Sequence, residues 1–239
     1  MAKATDALGE ALKDYWFNNN KDGEILIKSD IIDDDLMPVH LFFREYETMP
    51  ALEQKALSLA TGKVLDIGAG AGCHAAYLTK QGIETIGLDI SEGACEVMSN
   101  RGLDFLTGNL FDLTPTPTFD TILLLMNGIG ICGSLAKLPN LLETLSKWLA
   151  PGGKILFDSS DVSYLYQDED GSSWINLNQQ YMGDFMFSMQ YKNIKSNDFE
   201  WTYIDFDSVK KVAIENGWHI ELIEEGPHYD YLAALSKND

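Results

Sequence analysis

The chain has 239 residues, 45% of them apolar, which is ample for one large domain or one domain with a cap. Its 17 basic and 37 acidic side chains give a formal charge of -20, and residues 161–230 hold 14 carboxylates against 4 lysines, so the chain lacks the basic patch needed to displace counterions from a nucleic acid. The first thirty residues interleave Lys3, Asp6, Glu10, Lys13 and Asp14 with small and apolar side chains, which argues against a secretion signal, and no apolar run approaches the roughly 20 residues of a membrane helix.

In chain order, Leu8, Leu12, Tyr15 and Trp16 fall near one face of a helix expected over residues 5–17, with Thr5 or Asp6 as its cap. A short strand over 24–28 and an acidic turn over 30–35 follow. Residues 38–46 carry Phe42, Phe43, Arg44 and Tyr46, and a second helix runs from Thr48 as cap, with Pro50 in its first turn, to the break at Gly62. From Lys63 the pattern alternates: strand 64–67, helix 72–80, strand 84–88, helix 92–100, strand 103–106, strand 121–126, a leucine-rich helix 138–149 and, beyond the turn at Pro151, strand 154–157. Such alternation predicts a parallel sheet with helices on both faces. After Asp161 come a turn-like loop at 168–173, a strand pair at 185–192 and 200–204, a helix beginning at Asp207, Ser208 or the next residue, and a hairpin of 218–223 with 229–234. The division expected is a cap or lid segment, 1–60, and a core, 61–239, with a β insertion at about 180–205.

Cys73, Cys95 and Cys132 are scattered, with no C-x-x-C spacing, so neither a disulfide framework nor a metal site is expected, and a reducing cytoplasm fits. Cys73 at a helix start reads as a small packing residue rather than a reactive thiol. The charge surplus reads as a soluble, self-repelling surface; attraction of a cationic substrate is the alternative.

The densest signal is Val-Leu-Asp-Ile-Gly-Ala-Gly-Ala-Gly at 64–72, with a second acid, Asp89, 23 positions after Asp66 at the end of another apolar run. Glycine at 68, 70 and 72 turns a strand sharply into a helix and removes the β-carbons that would hold a ligand off the backbone. Asp89 stands where an acid takes both ribose hydroxyls. The dinucleotide fingerprint wants glycine or alanine at its sixth position, but here Gly72 is fifth and Cys73 sixth. An acid two residues before the first glycine suits a cationic ligand better than a pyrophosphate, and S-adenosylmethionine, with its ammonium and sulfonium, is such a ligand.

The string Asp66-x-Gly68-x-Gly70-x-Gly72 resembles the class I S-adenosylmethionine-dependent methyltransferases, and Gly87-Leu88-Asp89-Ile90-Ser91, Gly108-Asn109-Leu110-Phe111-Asp112, Phe119-Asp120 with Met126-Asn127, and Leu149-Ala150-Pro151-Gly152-Gly153 continue the likeness in order. The resemblance implies a Rossmann-like α/β fold: a seven-stranded, mostly parallel sheet, helices on both faces, the last strand antiparallel, and a helical N-terminal cap. It implies that Asp66 and the backbone of Gly68, Ala69 and Gly70 hold the methionine portion, with Gly72 completing the turn. Asp89 would hold the ribose, Asn109 and the Leu110 amide the adenine, and Asn127 the floor of the methionine site, with Ile90, Met126 and Gly128 also against the cofactor. The segment holding Arg44 and Tyr46 would fold over the cofactor as a lid, with Arg44 or His74 meeting the methionine carboxylate. Asn127-Gly128-Ile129-Gly130 departs from the Asn-Pro-Pro-aromatic motif of enzymes that methylate bases and glutamine, so that acceptor class is not supported.

The reading is a methyltransferase acting on a small molecule or a peptide side chain, with no nucleic-acid or membrane partner. A general base is needed only where the acceptor starts protonated, and the candidates for one are Asn127, Asp158 and Asp161 on the loops after the fourth and fifth core strands. Alternatives are another reaction on the same scaffold, such as aminopropyl transfer or decarboxylation, a non-catalytic cofactor-binding module and, more remotely, a nicotinamide dehydrogenase.

Overall fold

A computed structural model describes residues 5–166 and 181–238. Helix α1 (Ala7–Phe17) begins at Asp6, whose carboxylate accepts the Gly9 N–H. Strands β1 (Glu24–Ser29) and β2 (Asp35–Pro38) pair antiparallel from Glu24 opposite Pro38 to Ile27 opposite Asp35, so the acidic turn gives way at Asp35 to a strand that the sequence did not disclose. Two short 3-10 turns, Val39–Phe43 and Tyr46–Thr48, lead to α2 (Ala51–Leu59). Its cap is Pro50, not Thr48, because a residue before proline is driven out of the helical region, and Met49 is accordingly extended.

The alternating half follows as β3 (Val64–Ile67), α3 (Cys73–Lys80), β4 (Thr85–Asp89), α4 (Glu92–Asn100), β5 (Asp104–Thr107), β6 (Phe119–Leu124), α5 (Leu138–Trp148) and β7 (Leu149–Ser160). Strand β6 stops two residues short of the expected Met126, since Met126 and Asn127 both take positive φ, 63° and 56°, which no strand accommodates. Strand β7 instead runs on both sides of the expected 154–157, because β12 pairs with it as far as Ser160. Then come β8 (Asp184–Tyr191), β9 (Ile194–Lys195), β10 (Phe199–Thr202), α6 (Phe206–Glu215), β11 (Trp218–Glu225) and β12 (Asp230–Lys237). Helix α6 starts earlier than the sequence suggested, capped by Asp205, which accepts the Ser208 N–H. The loop expected at 168–173 lies outside the described residues.

Seven strands form one sheet in the order β11-β12-β7-β6-β3-β4-β5, with β3 to β7 parallel and β12 antiparallel to both β7 and β11. This is the mostly parallel Rossmann-like sheet expected. A second, antiparallel sheet has the order β10-β8-β1-β2, with β9 on β8. It draws N-terminal strands and residues 184–202 into one layer, a pairing between distant segments that neither run signals on its own.

Side-chain alternation sorts the main sheet into two buried faces. Leu65, Ile67, Ile122, Leu124, Ile155 and Phe157 join the α5 leucines and Trp148 in one cluster, while Val64, Leu123, Leu125 and Leu156 join Leu52, Ala56 and Leu57 of α2 and Leu78 of α3 in another. Full burial of each such side chain contributes roughly 1.5–3 kcal/mol. The same alternation has a consequence for polar groups. Asp66 shares parity with Val64, and Asp158 with Leu156, so both acids belong to the α2/α3 face at the carboxyl ends of β3 and β7.

Candidate functional site

The glycine loop hangs from the end of β4. Gly68 and Ala69 donate their N–H groups to Leu88 O at 2.8 and 3.1 Å, and Gly70 N–H donates to Asp89 Oδ2 at 2.8 Å. The other Asp89 oxygen accepts Ser91 N–H, also at 2.8 Å. Asp89 is buried, and burial raises its pKa against these two bonds. Each carboxylate oxygen keeps a second lone pair, so a diol remains acceptable to it. Gly68, Gly70 and Gly72 all take positive φ (72°, 55° and 77°), which is why the turn needs glycine. A β-carbon at Gly70 would meet the Phe42 ring at 2.9 Å, so the first 3-10 turn closes over the loop. Among the described residues a β-carbon at Gly68 would meet nothing within 4 Å, so the backbone there borders open space between them.

Asp66 is 1% exposed, and its Oδ2 has no hydrogen-bond partner among the described residues. Its Oδ1 lies 3.8 Å from His74 Nδ1 in the first turn of α3. His74 Nε2 stands 2.9 Å from Oε2 of Glu53, which projects from the first turn of α2, and both Glu53 oxygens accept from Arg44 Nη2 at 2.9 Å. Burial opposes a charge on His74, but Cys73, Asp66 and Glu53 outweigh it and raise the imidazole well above its ordinary 6.5. Arg44 Nε is likewise buried without a partner among the described residues. An unanswered donor and an unanswered acceptor thus stand at the two ends of the Arg44–Glu53–His74–Asp66 chain, and each is expensive to leave unmade. Glu53, which joins Arg44 to His74 of α3, escaped the sequence reading. Its only signal is that it shares the buried face of α2 with Leu52, Ala56 and Leu57.

The other predicted residues also sit at carboxyl ends of parallel strands. Asn109, after β5, turns its Oδ1 onto Phe111 N–H at 3.0 Å, with Leu110 buried beside it. Ile90 is 69% exposed beyond β4. Met126, Asn127 and Gly128 follow β6; Asn127 N–H donates to Asp158 Oδ1 at 3.0 Å, and Asn127 Oδ1 accepts Ser160 Oγ–H at 2.9 Å. Two consecutive residues in the left-handed region mark this turn as strained, of order 1–3 kcal/mol each. Tyr46 stacks its ring on Tyr77 of α3, with centroids 4.2 Å apart. Asp161 accepts Ser163 N–H and shapes the turn after β7. The three cysteines are buried and unpaired, and among the described residues no His, Cys, Asp or Glu cluster could hold a metal. None of the described helices is long and apolar enough to cross a membrane.

The arrangement fits a ligand with a cation at one end and a diol further along. Among the described residues a buried carboxylate oxygen lacks a partner two positions before the open backbone at Gly68, and a second acid holds the glycine turn through Gly70 N–H. Residues 64–153 match the family model described as a methyltransferase domain. The chain is 44% identical to an S-adenosylmethionine-dependent methyltransferase from Bacteroides fragilis, solved in complex with S-adenosyl-L-homocysteine; the TM-score is 0.92, with 99% of this chain and 97% of that one covered. A second S-adenosylmethionine-dependent methyltransferase, from Clostridium acetobutylicum, is 13% identical with a TM-score of 0.59 over 95% of this chain and 97% of that one, and so shares the fold. Cypemycin N-terminal methyltransferase from a Streptomyces species is 28% identical over 102 residues, which is 41% of this chain and 42% of that protein, less than half the length of that curated relative. With the glycine loop and its two acids, the full-length likeness shows that this chain belongs to the S-adenosylmethionine-dependent methyltransferases.

Proposed function

We propose that this chain transfers the methyl group of S-adenosylmethionine to a small molecule or a peptide side chain, and that the acceptor is an amine. The observation that carries the cofactor assignment is the unpartnered Asp66 Oδ2 beside open backbone at Gly68. When bound, the cofactor supplies a methyl group already activated by its sulfonium, so the protein has chiefly to align the nucleophile and exclude water. In this reading Asp66 Oδ2 takes the ammonium and Arg44 Nε the carboxylate of the methionine end, with His74 behind them. Asp89 takes the ribose hydroxyls, and Asn109 and the Leu110 amide read the adenine. Met126, Asn127 and Gly128 line the methionine side, with Gly72 and Ala69 holding the turn.

An ammonium must lose a proton before it can attack. Among Asn127, Asp158 and Asp161, Asp158 is favoured for that step: Asn127 is an amide and takes no proton and Asp161 holds its turn through Ser163 N–H, while Asp158, on the face shared with Asp66, holds Asn127 N–H through Oδ1 alone and has its carboxyl pushed up to about 7 by burial. The surplus of acidic side chains and the relative named for N-terminal methylation support an amine. Incubating the purified protein with S-adenosylmethionine and a panel of amines, hydroxyl compounds and carboxylic acids tests the reading. S-adenosylhomocysteine released with amines is the expected result; release with none of the three classes would leave a binding module.

Two variants probe the cofactor end. Asp89→Ala is expected to weaken S-adenosylhomocysteine affinity by about 1–3 kcal/mol, the scale for unpaired buried polar partners, as read by calorimetry. Gly68→Ala places a methyl where no atom of the described residues stands, at a φ of 72° that L-residues resist. It should cost about 1–2 kcal/mol of stability and a larger fraction of cofactor affinity. Equal affinity of Gly68→Ala and the parent protein would remove the loop from the binding site.

A further inference from the structure

The N-terminal helix reaches the ribose-side acid through one carboxylate. Asp6 Oδ1 accepts Gly9 N–H at 2.8 Å and so caps α1, while Asp6 Oδ2 accepts Ser91 Oγ–H at 2.8 Å and Gly93 N–H at 3.1 Å at the start of α4. Ser91 is itself the cap of α4, its Oγ accepting Ala94 N–H at 3.0 Å, and its own N–H holds Asp89 Oδ1 at 2.8 Å. Asp89 in turn holds Gly70 N–H. A single side chain therefore caps two helices that are 85 residues apart and stands two hydrogen-bonded residues from the glycine turn. The helices touch backbone to backbone, since a β-carbon at Gly93 would lie 2.6 to 2.8 Å from Gly9 main-chain atoms.

We propose that Asp6 is a positioning residue for cofactor binding: by pinning Ser91 it sets the direction of the Asp89 carboxylate, so that docking of α1 and binding of the ribose reinforce each other. This rests on the assignment of the ribose to Asp89. The Ser91 hydroxyl can give its proton to only one acceptor, and Asp6 occupies it, which leaves the hydroxyl oxygen to the Ala94 N–H and fixes the backbone whose N–H aims Asp89. Without Asp6 both helix starts lose an acceptor and Ser91 is free to rotate. Because coupling free energies are reciprocal, a ligand that favours the ordered Asp89 must also favour the docked helix, by the same factor.

The test is calorimetry of S-adenosylhomocysteine and of its 2′,3′-dideoxyribosyl analogue with the parent protein, Asp6→Ala, Asp6→Asn, Gly93→Ala and Asp89→Ala, together with hydrogen exchange of residues 7–17. The parent should bind S-adenosylhomocysteine more tightly than the dideoxy analogue. Asp6→Ala is expected to lose about 5- to 20-fold for S-adenosylhomocysteine and much less for the analogue, with Asp6→Asn between it and the parent. Gly93→Ala, which forces α1 away while keeping the Asp6 carboxylate, should show the same ligand-selective loss. In the parent, S-adenosylhomocysteine should slow exchange in α1, and in Asp6→Ala this slowing should vanish. Equal losses for both ligands, or an Asp6→Ala affinity within twofold of the parent, would overturn the coupling while Asp89→Ala still weakens binding. If Asp89→Ala binds as the parent does, the ribose assignment itself falls, and the coupling with it.

Discussion

Replacing Glu53 with alanine is expected to cost about 3–5 kcal/mol of folding stability, the scale for removing one partner of a buried ion pair. Two features place it there. The Glu53 side chain is 5% exposed, and it answers both the Arg44 guanidinium, 10% exposed, and the His74 ring, 4% exposed. Its removal leaves two cationic groups together near Asp66, which already has one oxygen without a partner among the described residues. Against a total stability of roughly 5–15 kcal/mol for a domain, the loss is large. The pH dependence gives an independent check. His74 has a folded-state pKa above its unfolded value, so its contribution is fully present below the unfolded pKa near 6.5 and is lost as pH rises through the raised folded value. Removing Glu53 takes away one cause of that raise, so the variant's stability should fall less steeply with pH above about 6.5. Urea denaturation of parent and Glu53→Ala at pH 6 and pH 9 measures both quantities; a loss under 1 kcal/mol at both would mean that the Arg44–Glu53–His74 chain is not a stabilising unit.

The sequence made the local parts of this molecule legible and left the long-range ones hidden, for a physical reason. Strand β3, the glycine turn and the start of α3 depend on apolar alternation and on positive φ at Gly68, Gly70 and Gly72, all encoded within nine residues. The leucines of α5 and the acid at the end of β4 are equally local. By contrast, β2 exists because β1 pairs with it, and the second sheet exists because β1 also pairs with β8, some 160 residues away. No periodicity within either segment reports such a partner. Glu53 and Asp6 belong to the same class. One reads as an ordinary first-turn glutamate and the other as an ordinary helix cap, until the fold brings Arg44 and His74 to the first and Ser91 and Gly93 to the second. The early end of β6 is instructive in the same way: Asn127 accepts a left-handed conformation, and Asp158 on the neighbouring strand takes its N–H there.

Replacing Asp158 with asparagine is expected to stabilise the protein at alkaline pH while abolishing most of its turnover. Asp158 lies at the carboxyl end of β7 on the face shared with Asp66, and burial pushes its pKa up to about 7, assisted by the negative charge of Glu53 and opposed by the Asn127 N–H and by His74. The sign follows from linkage. A carboxylic acid whose folded pKa exceeds its unfolded value near 3.9 binds its proton more tightly in the native state. Stability is therefore highest below the unfolded pKa, falls as pH rises between about 4 and 7, and stays reduced above 7, where the group must be carried as a buried anion. Asparagine keeps an oxygen for the Asn127 N–H and carries no charge. At pH 8 the variant should gain about 2–4 kcal/mol, and at pH 4 or below the gain should vanish. Activity should move the other way. With an amine acceptor drawn from the panel, loss of the proton acceptor should lower kcat by about 10²- to 10⁴-fold and erase the acidic limb of the parent's pH profile near 7, with S-adenosylhomocysteine affinity unchanged within twofold. Thermal unfolding at pH 4 and pH 8 needs no acceptor and can be read first. A variant no more stable than the parent at pH 8, with its acidic limb intact, would show that Asp158 neither carries a buried charge nor takes the acceptor's proton.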